Sequence, residues 1–147
     1  LHQLESGVEV DYRQATAEQL AEEEGAVYDV VCCLEMLEHV PDPGAVIAAC
    51  AALAKPGGAL YFSTINRNPK AFAFAIVGAE HILQLLPAGT HDYAKFIKPS
   101  ELAAWMRDAG LVLQRMTGLT YNPLTRRYKL NDADVSVNYM VHAVKPA

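Results

Sequence analysis

The sequence predicts an α/β domain built on a mostly parallel β-sheet. Strand-like apolar runs alternate along the chain with segments that carry helix caps. One run, Val27–Leu34, is almost continuously apolar, which is typical of a parallel strand buried on both faces. The length of 147 residues corresponds to one domain. Together these observations favour a single layered sheet with helices packed against it.

The first elements are a strand, a helix and a second strand. Gly7–Tyr12 alternates apolar and polar positions, which predicts a strand. Thr16 and Gln19 form a capping-box pattern that begins a short helix ending near Glu24. The apolar run 27–34 then supplies the second strand.

The next helix has clear signals at both ends. Asp42 is a favourable N-cap residue, and Pro43 suits the first helical position, where a missing N–H costs nothing. The helix should run to about Leu53 and end at the following Lys-Pro-Gly-Gly sequence, with Gly57 in a left-handed conformation. A strand over 59–64 should follow.

Two further helices and two strands complete the prediction. Ala71–Leu86 is apolar at helical spacing, and a helix that begins at Pro99 should end at Gly110. Leu111–Leu119 and Val135–Val144 are predicted strands with no long helix between them. We therefore expect these two strands to pair antiparallel.

Composition excludes several classes of protein. Hydrophobic residues make up 52% of the chain, which argues against disorder. Twelve Lys and Arg against 17 Asp and Glu give a net charge of −5, so sequence-independent nucleic-acid binding is not expected. Three cysteines, Cys32, Cys33 and Cys50, form no disulfide framework and indicate a reducing compartment.

The topology indicates where a ligand should bind. In an open α/β sheet, ligands lie beyond the carboxyl ends of the strands. The segments to inspect are therefore Gln14–Glu18, Leu34–Val40 and Ser63–Pro69. None of the nine glycines forms a Gly-x-Gly, so the usual phosphate-binding turn is absent from this chain. Either no such cofactor is bound, or that turn lies upstream of Leu1.

The most distinctive local group follows the second strand. Glu35, Glu38 and His39 lie within five positions. If Glu35 begins a helical turn, the three side chains share one face and could hold a divalent cation. The alternative is an acidic turn before the next helix, in which His39 hydrogen-bonds to backbone. Their spacing leaves both interpretations open.

The apolar segment Ala71–Leu86 also allows two interpretations. It is too short to span a bilayer, and it is either a covered helix or an interfacial one. The Gly-Thr-His-Asp sequence at 89–92 either presents His91 to a substrate or forms a polar turn.

Several segments together resemble a known family. The run Asp29–Pro43, followed by Leu53–Gly58, resembles class I S-adenosylmethionine-dependent methyltransferases. Further segments are similar to the ubiquinone-biosynthesis O-methyltransferases: Phe62–Asn68, Val77–Leu83 with Gly89–Asp92, Lys95–Pro99, Gly118–Pro123 and Val137–Met140. The resemblance covers essentially the whole chain. It implies a Rossmann-like class I methyltransferase sheet with an antiparallel C-terminal strand pair, whose N-terminal βαβα portion should precede Leu1. All 147 residues are then the C-terminal part of a single methyltransferase domain.

The resemblance also implies an activity and its residues. The activity is transfer of a methyl group from S-adenosylmethionine to a polyprenylated catechol-type intermediate and to 3-demethylubiquinol. Leu34 matches a cofactor contact, and Thr16 and Ala17 match the loop beside the adenine. The acidic group described above, residues 35, 38 and 39, matches a magnesium-binding trio of eukaryotic relatives. His91, or the histidine at 39 if no metal is bound, is the candidate base.

The expected partners and the rival functions follow from the same resemblance. The partners are the prenylated phenol, a ubiquinone-biosynthesis protein complex and an inner-membrane surface contacted from the cytoplasm through Ala71–Leu86, with no nucleic acid. One rival is a non-catalytic α/β interaction module from a truncated methyltransferase, favoured by the absent Gly-x-Gly. Another is a methyltransferase for a different small phenol. Because the N-terminal portion is expected upstream, the isolated chain should be a poor methyltransferase and a poor folder.

Overall fold

A computed structural model describes residues 6–73, 92–122, 125 and 127–147. These residues form a five-stranded sheet in the order β1-β2-β5-β3-β4. The first two strands pair in parallel, and the remaining three pairs are antiparallel. The strands are β1 (Tyr28–Leu34), β2 (Ala54–Ile65), β3 (Val112–Asn122), β4 (Arg127–Asn131) and β5 (Asn138–Val144). The expected antiparallel pairing of the two C-terminal strands is confirmed as β3 with β5.

The helices begin where their cap residues predict. They are α1 (Ala17–Glu24), α2 (Pro43–Leu53), the single turn α3 (Pro69–Ala71) and α4 (Pro99–Asp108), with 3₁₀ turns at Leu37–His39 and Tyr93–Lys95. Thr16 and Gln19 make both bonds of a capping box. The Asp42 carboxylate accepts a bond of 3.0 Å from the backbone N–H of Ala45. Gly57 has the expected left-handed φ of 79°, but it lies within β2 and does not end α2, because the C-cap is Ala54 and the strand begins there rather than at 59.

One face of the sheet forms the main core with α2 and α4. Alternate residues of each strand point to this face, because side-chain direction alternates along a strand. The largest fully buried members on the sheet are Leu60, Phe62, Tyr139 and Val141, and the helices contribute Ile47, Leu102 and Met106. Cys33 and Cys50 are buried in the same core, and all three cysteines are free.

The strand expected at Gly7–Tyr12 is wrong. These residues form no regular element, and Val8 and Tyr12 are exposed. A strand needs a partner for its backbone N–H and C=O groups. Among the described residues, β1 pairs with β2 alone, so no sheet edge receives this segment.

The expected burial of the second strand on both faces is also wrong. In β1, Cys33 is buried, whereas Val30 is 54% exposed and Leu34 is 48% exposed. One face of β1 packs on the core, and the described part of the chain places no element over the other. The exposed apolar residues Val30 and Leu34 therefore lie on the face of β1 that points away from the core.

The C-terminal half contains a strand that the sequence did not predict. β4 pairs with β3 as a hairpin, and β5 begins at Asn138, three residues later than expected. Of the predicted helix Ala71–Leu86, residues 74–86 lie outside the described residues. No helix among the described residues is long and apolar enough to cross a bilayer.

Candidate functional site

The carboxyl ends of β1 and β2 meet at one edge of the sheet. Leu34, the last residue of β1, is in register with Ser63 of β2. Just beyond Leu34, the backbone N–H of Glu35 donates to the Ser63 carbonyl oxygen at 3.1 Å and lies 3.0 Å from its Oγ. Two of the three segments expected to line a ligand site are thus joined directly.

Glu35 has an unusual backbone conformation. Its φ is 51°, and it is the one residue other than glycine with a positive φ in the described chain. The Ser63 hydroxyl donates to its Oε1 at 2.6 Å, and Asn138 Nδ2 lies 3.4 Å from its Oε2. A right-handed helix requires a negative φ. The condition for a shared helical face, that Glu35 begins a helical turn, is therefore not met, and the 3₁₀ turn begins at Leu37 instead.

Glu38 is a buried carboxylate, only 3% exposed. Its Oε2 accepts a bond of 2.7 Å from the hydroxyl of Thr64. Its Oε1 lies 3.9 Å from Nε2 of His39, whose side chain is half exposed. A carboxylate in such a place needs a donor, because burial without one is costly. Glu38 therefore ties the loop after β1 to β2.

The hydrogen-bond partners of Glu35 and Glu38 separate the two carboxylates. Ser63 and Thr64 are consecutive residues of β2, so their side chains point to opposite faces of the sheet. Within the part of the chain that the structure describes, no three His, Cys, Asp or Glu side chains converge on a position for a metal ion. The carboxylates of Glu35 and Glu38 are instead hydrogen-bonded to Ser63 and Thr64. Magnesium binding by Glu35, Glu38 and His39 stays a prediction of the resemblance.

The other predicted site residues lie at different places. Leu34 is half exposed at the carboxyl end of β1, where a cofactor would lie. Thr16 caps α1 with its hydroxyl, and Ala17 packs partly against the main core. His91 lies outside the described residues. The contacts of Leu34, Thr16 and Ala17 with a cofactor stay predictions.

Sequence reasoning gave no role to three polar residues of this edge, although Ser63 and Thr64 lie in the segment Ser63–Pro69 that it selected for inspection. Ser63, Thr64 and Asn138 hold the two carboxylates through the bonds described above. A signal for two of them was present, because Ser63 and Thr64 are adjacent polar residues in an otherwise apolar buried strand. Buried hydroxyls need hydrogen-bond partners, so this pair indicates polar neighbours at the strand end.

The loop after β2 is tied to the segment before β5. Asn66 donates through its backbone to the Val137 carbonyl at 2.7 Å and through its amide to the Val135 carbonyl at 3.0 Å. The amide of Asn68 donates to the Ser136 carbonyl at 2.7 Å. These bonds fix two loops side by side at the same edge of the sheet.

A second layer supports this edge from the side of α4. The guanidinium of Arg67 pairs with the Glu101 carboxylate. The buried Tyr139 hydroxyl donates to the Ile97 carbonyl at 2.9 Å. Burial first, and then the charges of Glu101 and Glu38, raise the pKa of Tyr139 above its usual range. The phenol therefore remains a neutral donor that holds the start of α4 against β5.

Comparisons with known proteins identify the class that this sheet and edge define. The sequence model of the methyltransferase domain family matches residues 4–115, and the chain belongs to that family. Its fold is shared by magnesium protoporphyrin IX methyltransferase from Synechocystis, crystallised with bound S-adenosylhomocysteine. The alignment covers 90% of this chain and 49% of that structure's chain, with a TM-score of 0.56 and a sequence identity of 22%. The predicted class I methyltransferase fold is confirmed.

Closer relatives in sequence carry a more particular name. The chain is 68% identical over 145 residues to a ubiquinone biosynthesis O-methyltransferase of Saccharophagus degradans and 70% identical to that of Stutzerimonas stutzeri. Each alignment covers 99% of this chain. The chain spans 61% and 62% of the length of these two relatives.

Proposed function

We propose that this chain belongs to an S-adenosylmethionine-dependent O-methyltransferase of ubiquinone biosynthesis. Its substrates are a polyprenylated catechol-type intermediate and 3-demethylubiquinol. The observation that carries the proposal is the identity of 68–70% with relatives of that name over 99% of the chain. The open carboxyl edge at Leu34 supports it, because this is where an α/β sheet binds its ligand.

Bound S-adenosylmethionine supplies an electrophilic methyl group on its sulfonium. Transfer of that methyl group to a substrate oxygen, with cleavage of the sulfur–carbon bond, would leave S-adenosylhomocysteine as the second product. The phenolic proton must pass to a base, because a neutral phenol with a pKa of about 10 is a weak nucleophile. The residues of this chain have two tasks: they position the cofactor at Leu34 and they accept the proton.

His39 is the described histidine that suits proton transfer at this edge. Its side chain is half exposed, which leaves the imidazole accessible to a substrate. The neighbouring Glu38 is anchored by Thr64, so the loop that carries His39 has a fixed position. His91 remains the second candidate base, and the two are separated by experiment.

The test is methyl transfer by the native-length protein. We expect label from S-methyl-labelled S-adenosylmethionine to appear on the oxygen of catechol and quinol acceptors, with preference for isoprenoid tails. Replacing the catalytic base by alanine should lower kcat by roughly 10²–10⁴-fold. His39→Ala and His91→Ala are compared with His142→Ala, a control on β5 whose ring stacks on Tyr61. No transfer to any phenolic acceptor would reject the proposed activity.

A magnesium requirement is tested separately. If Glu38 binds magnesium, Glu38→Gln should make turnover less responsive to added Mg²⁺. If Glu38 acts only as the buried partner of Thr64, the variant should keep the Mg²⁺ response of the wild type and lose stability instead. Measuring turnover against Mg²⁺ concentration for both proteins distinguishes the two roles.

We also propose a peripheral membrane contact through Ala71–Leu86 and association with other proteins of ubiquinone biosynthesis. Support comes from the apolar composition of the segment and from the prenyl tail of the proposed substrate. Vesicle flotation tests the contact: deleting 74–86 should weaken binding, and equal binding would reject it. Tail-less acceptors should still be methylated by the deletion variant, because they do not depend on the membrane contact.

A further inference from the structure

The left-handed conformation of Glu35 calls for a physical explanation. A side chain with a Cβ is disfavoured there, because the Cβ approaches the following carbonyl oxygen. Such residues persist where the surroundings determine the conformation, and they cluster at functional sites. Glu35 stands directly after Leu34, the candidate cofactor contact, at the edge where the fold binds ligands.

Ser63 supplies the contacts that hold this conformation. Its carbonyl oxygen accepts from the Glu35 N–H at 3.1 Å, and its hydroxyl donates to the Glu35 carboxylate at 2.6 Å. Asn138 lies 3.4 Å from the second carboxylate oxygen. The backbone and the side chain of Glu35 thus both contact residues of neighbouring strands. The direction in which the chain leaves β1 is therefore set by β2 and β5.

We propose that Glu35 is a positioning residue whose left-handed backbone, held by Ser63, shapes the cofactor-binding end of β1. Its carboxylate accepts hydrogen bonds from Ser63 and Asn138 and does not ligate a metal. This inference rests on the proposed function, since it assumes that the edge binds S-adenosylmethionine and its product.

The inference distinguishes an effect of the backbone conformation of Glu35 from an effect of its carboxylate. If the carboxylate acted as a ligand, every residue without it would fail equally. If the backbone matters, glycine and asparagine should preserve binding, because both adopt a left-handed φ readily. Valine should fail, because a β-branched side chain is a genuine outlier in that region.

The experiment measures the affinity of the native-length protein for S-adenosylhomocysteine by calorimetry without added metal. Glu35→Val should weaken binding by about tenfold, or 1.4 kcal/mol, whereas Glu35→Asn and Glu35→Gly should stay within about threefold of the wild type. Circular dichroism at the assay temperature confirms that each variant is folded. Equal loss in the glycine, asparagine and valine variants would overturn the inference.

A double-mutant cycle tests the role of Ser63. Ser63→Ala should weaken binding by about tenfold in the wild-type background. In the Glu35→Gly background the same change should weaken binding by less than about threefold, because glycine adopts the left-handed conformation without the contacts of Ser63. An undiminished effect of Ser63→Ala in that background would contradict the inference.

The wild-type result separates this inference from the proposed function. Binding of S-adenosylhomocysteine without methyl transfer to any phenol would reject the proposed activity and leave the positioning role standing. Absence of binding by the folded wild-type protein would overturn the positioning role.

Discussion

Replacing Thr64 by valine should destabilise the native-length protein by about 2 kcal/mol. The change removes the hydroxyl that donates to Glu38 Oε2 at 2.7 Å and keeps nearly the same side-chain shape. Glu38 is only 3% exposed, so water does not replace the lost donor. A hydrogen bond to a charged group contributes about 1.5–3 kcal/mol, which sets the expected loss.

Urea unfolding followed by circular dichroism measures the lost free energy of unfolding, and thermal unfolding measures the corresponding change in Tm. At about 2–4 °C per kcal/mol for a domain of 150–250 residues, Tm should fall by roughly 4–8 °C. Adding Glu38→Met to Thr64→Val should cost less than the sum of the two single changes, because the buried charge disappears with its donor. A loss of less than about 0.5 kcal/mol for Thr64→Val would refute the reasoning.

Three further predictions concern other parts of the fold. Asp42→Ala removes the N-cap of α2 and should cost about 1 kcal/mol in urea unfolding, with Asp42→Ser as the tolerated control. Gly118→Ala should cost about 3 kcal/mol or prevent folding, since the new Cβ would stand 1.7 Å from the Asp134 carbonyl oxygen; unchanged stability would contradict that approach. The Ser136 hydroxyl, and then the Lys70 ammonium, lower the pKa of Asp134 from 3.8 to about 2. A lowered carboxyl pKa adds stability that is complete above the unfolded pKa and is lost as pH falls through the folded one. Asp134→Asn should therefore flatten the stability profile between about pH 4 and pH 2, and an unchanged acid slope would exclude this carboxyl as its source.

Helix ends were predictable from the sequence because their determinants are local. The capping box of Thr16 and Gln19 acts across three residues, and so does the bond from Ala45 to Asp42. Each of these patterns contains both partners within one turn. Local side-chain chemistry alone is then enough to decide where a helix begins.

The edge of the sheet was not predictable in the same way. Glu35 depends on Ser63, 28 residues away, and on Asn138, 103 residues away. Helical spacing of residues 35, 38 and 39 suggested a shared face, but these distant partners impose a left-handed residue instead. The strand expected at Gly7–Tyr12 failed for a related reason, because alternation predicts a strand only where a partner strand is available.

The strand β4 shows the opposite error. Its sequence alternates Arg127, Tyr128, Lys129 and Leu130, which is a strand pattern, but it is short and bordered by turn residues. Tyr128 and Leu130 are exposed, so burial gave the pattern no support. Pairing with β3 stabilises β4 in the folded chain, and that register becomes visible only in the structure.

The position of β5 has a consequence for synthesis on the ribosome. This strand is translated after all the others, yet it lies between β2 and β3. A nascent chain that has already emerged as far as β4 therefore has two separate pieces, the β1–β2 pair and the β3–β4 hairpin, with no strand to join them. The edges of β2 and β3 that pair with β5 therefore stay unpaired until residues 138–144 leave the exit tunnel. A stop codon shortly before Asn138 would therefore split the sheet in two, whereas loss of an edge strand would only narrow it.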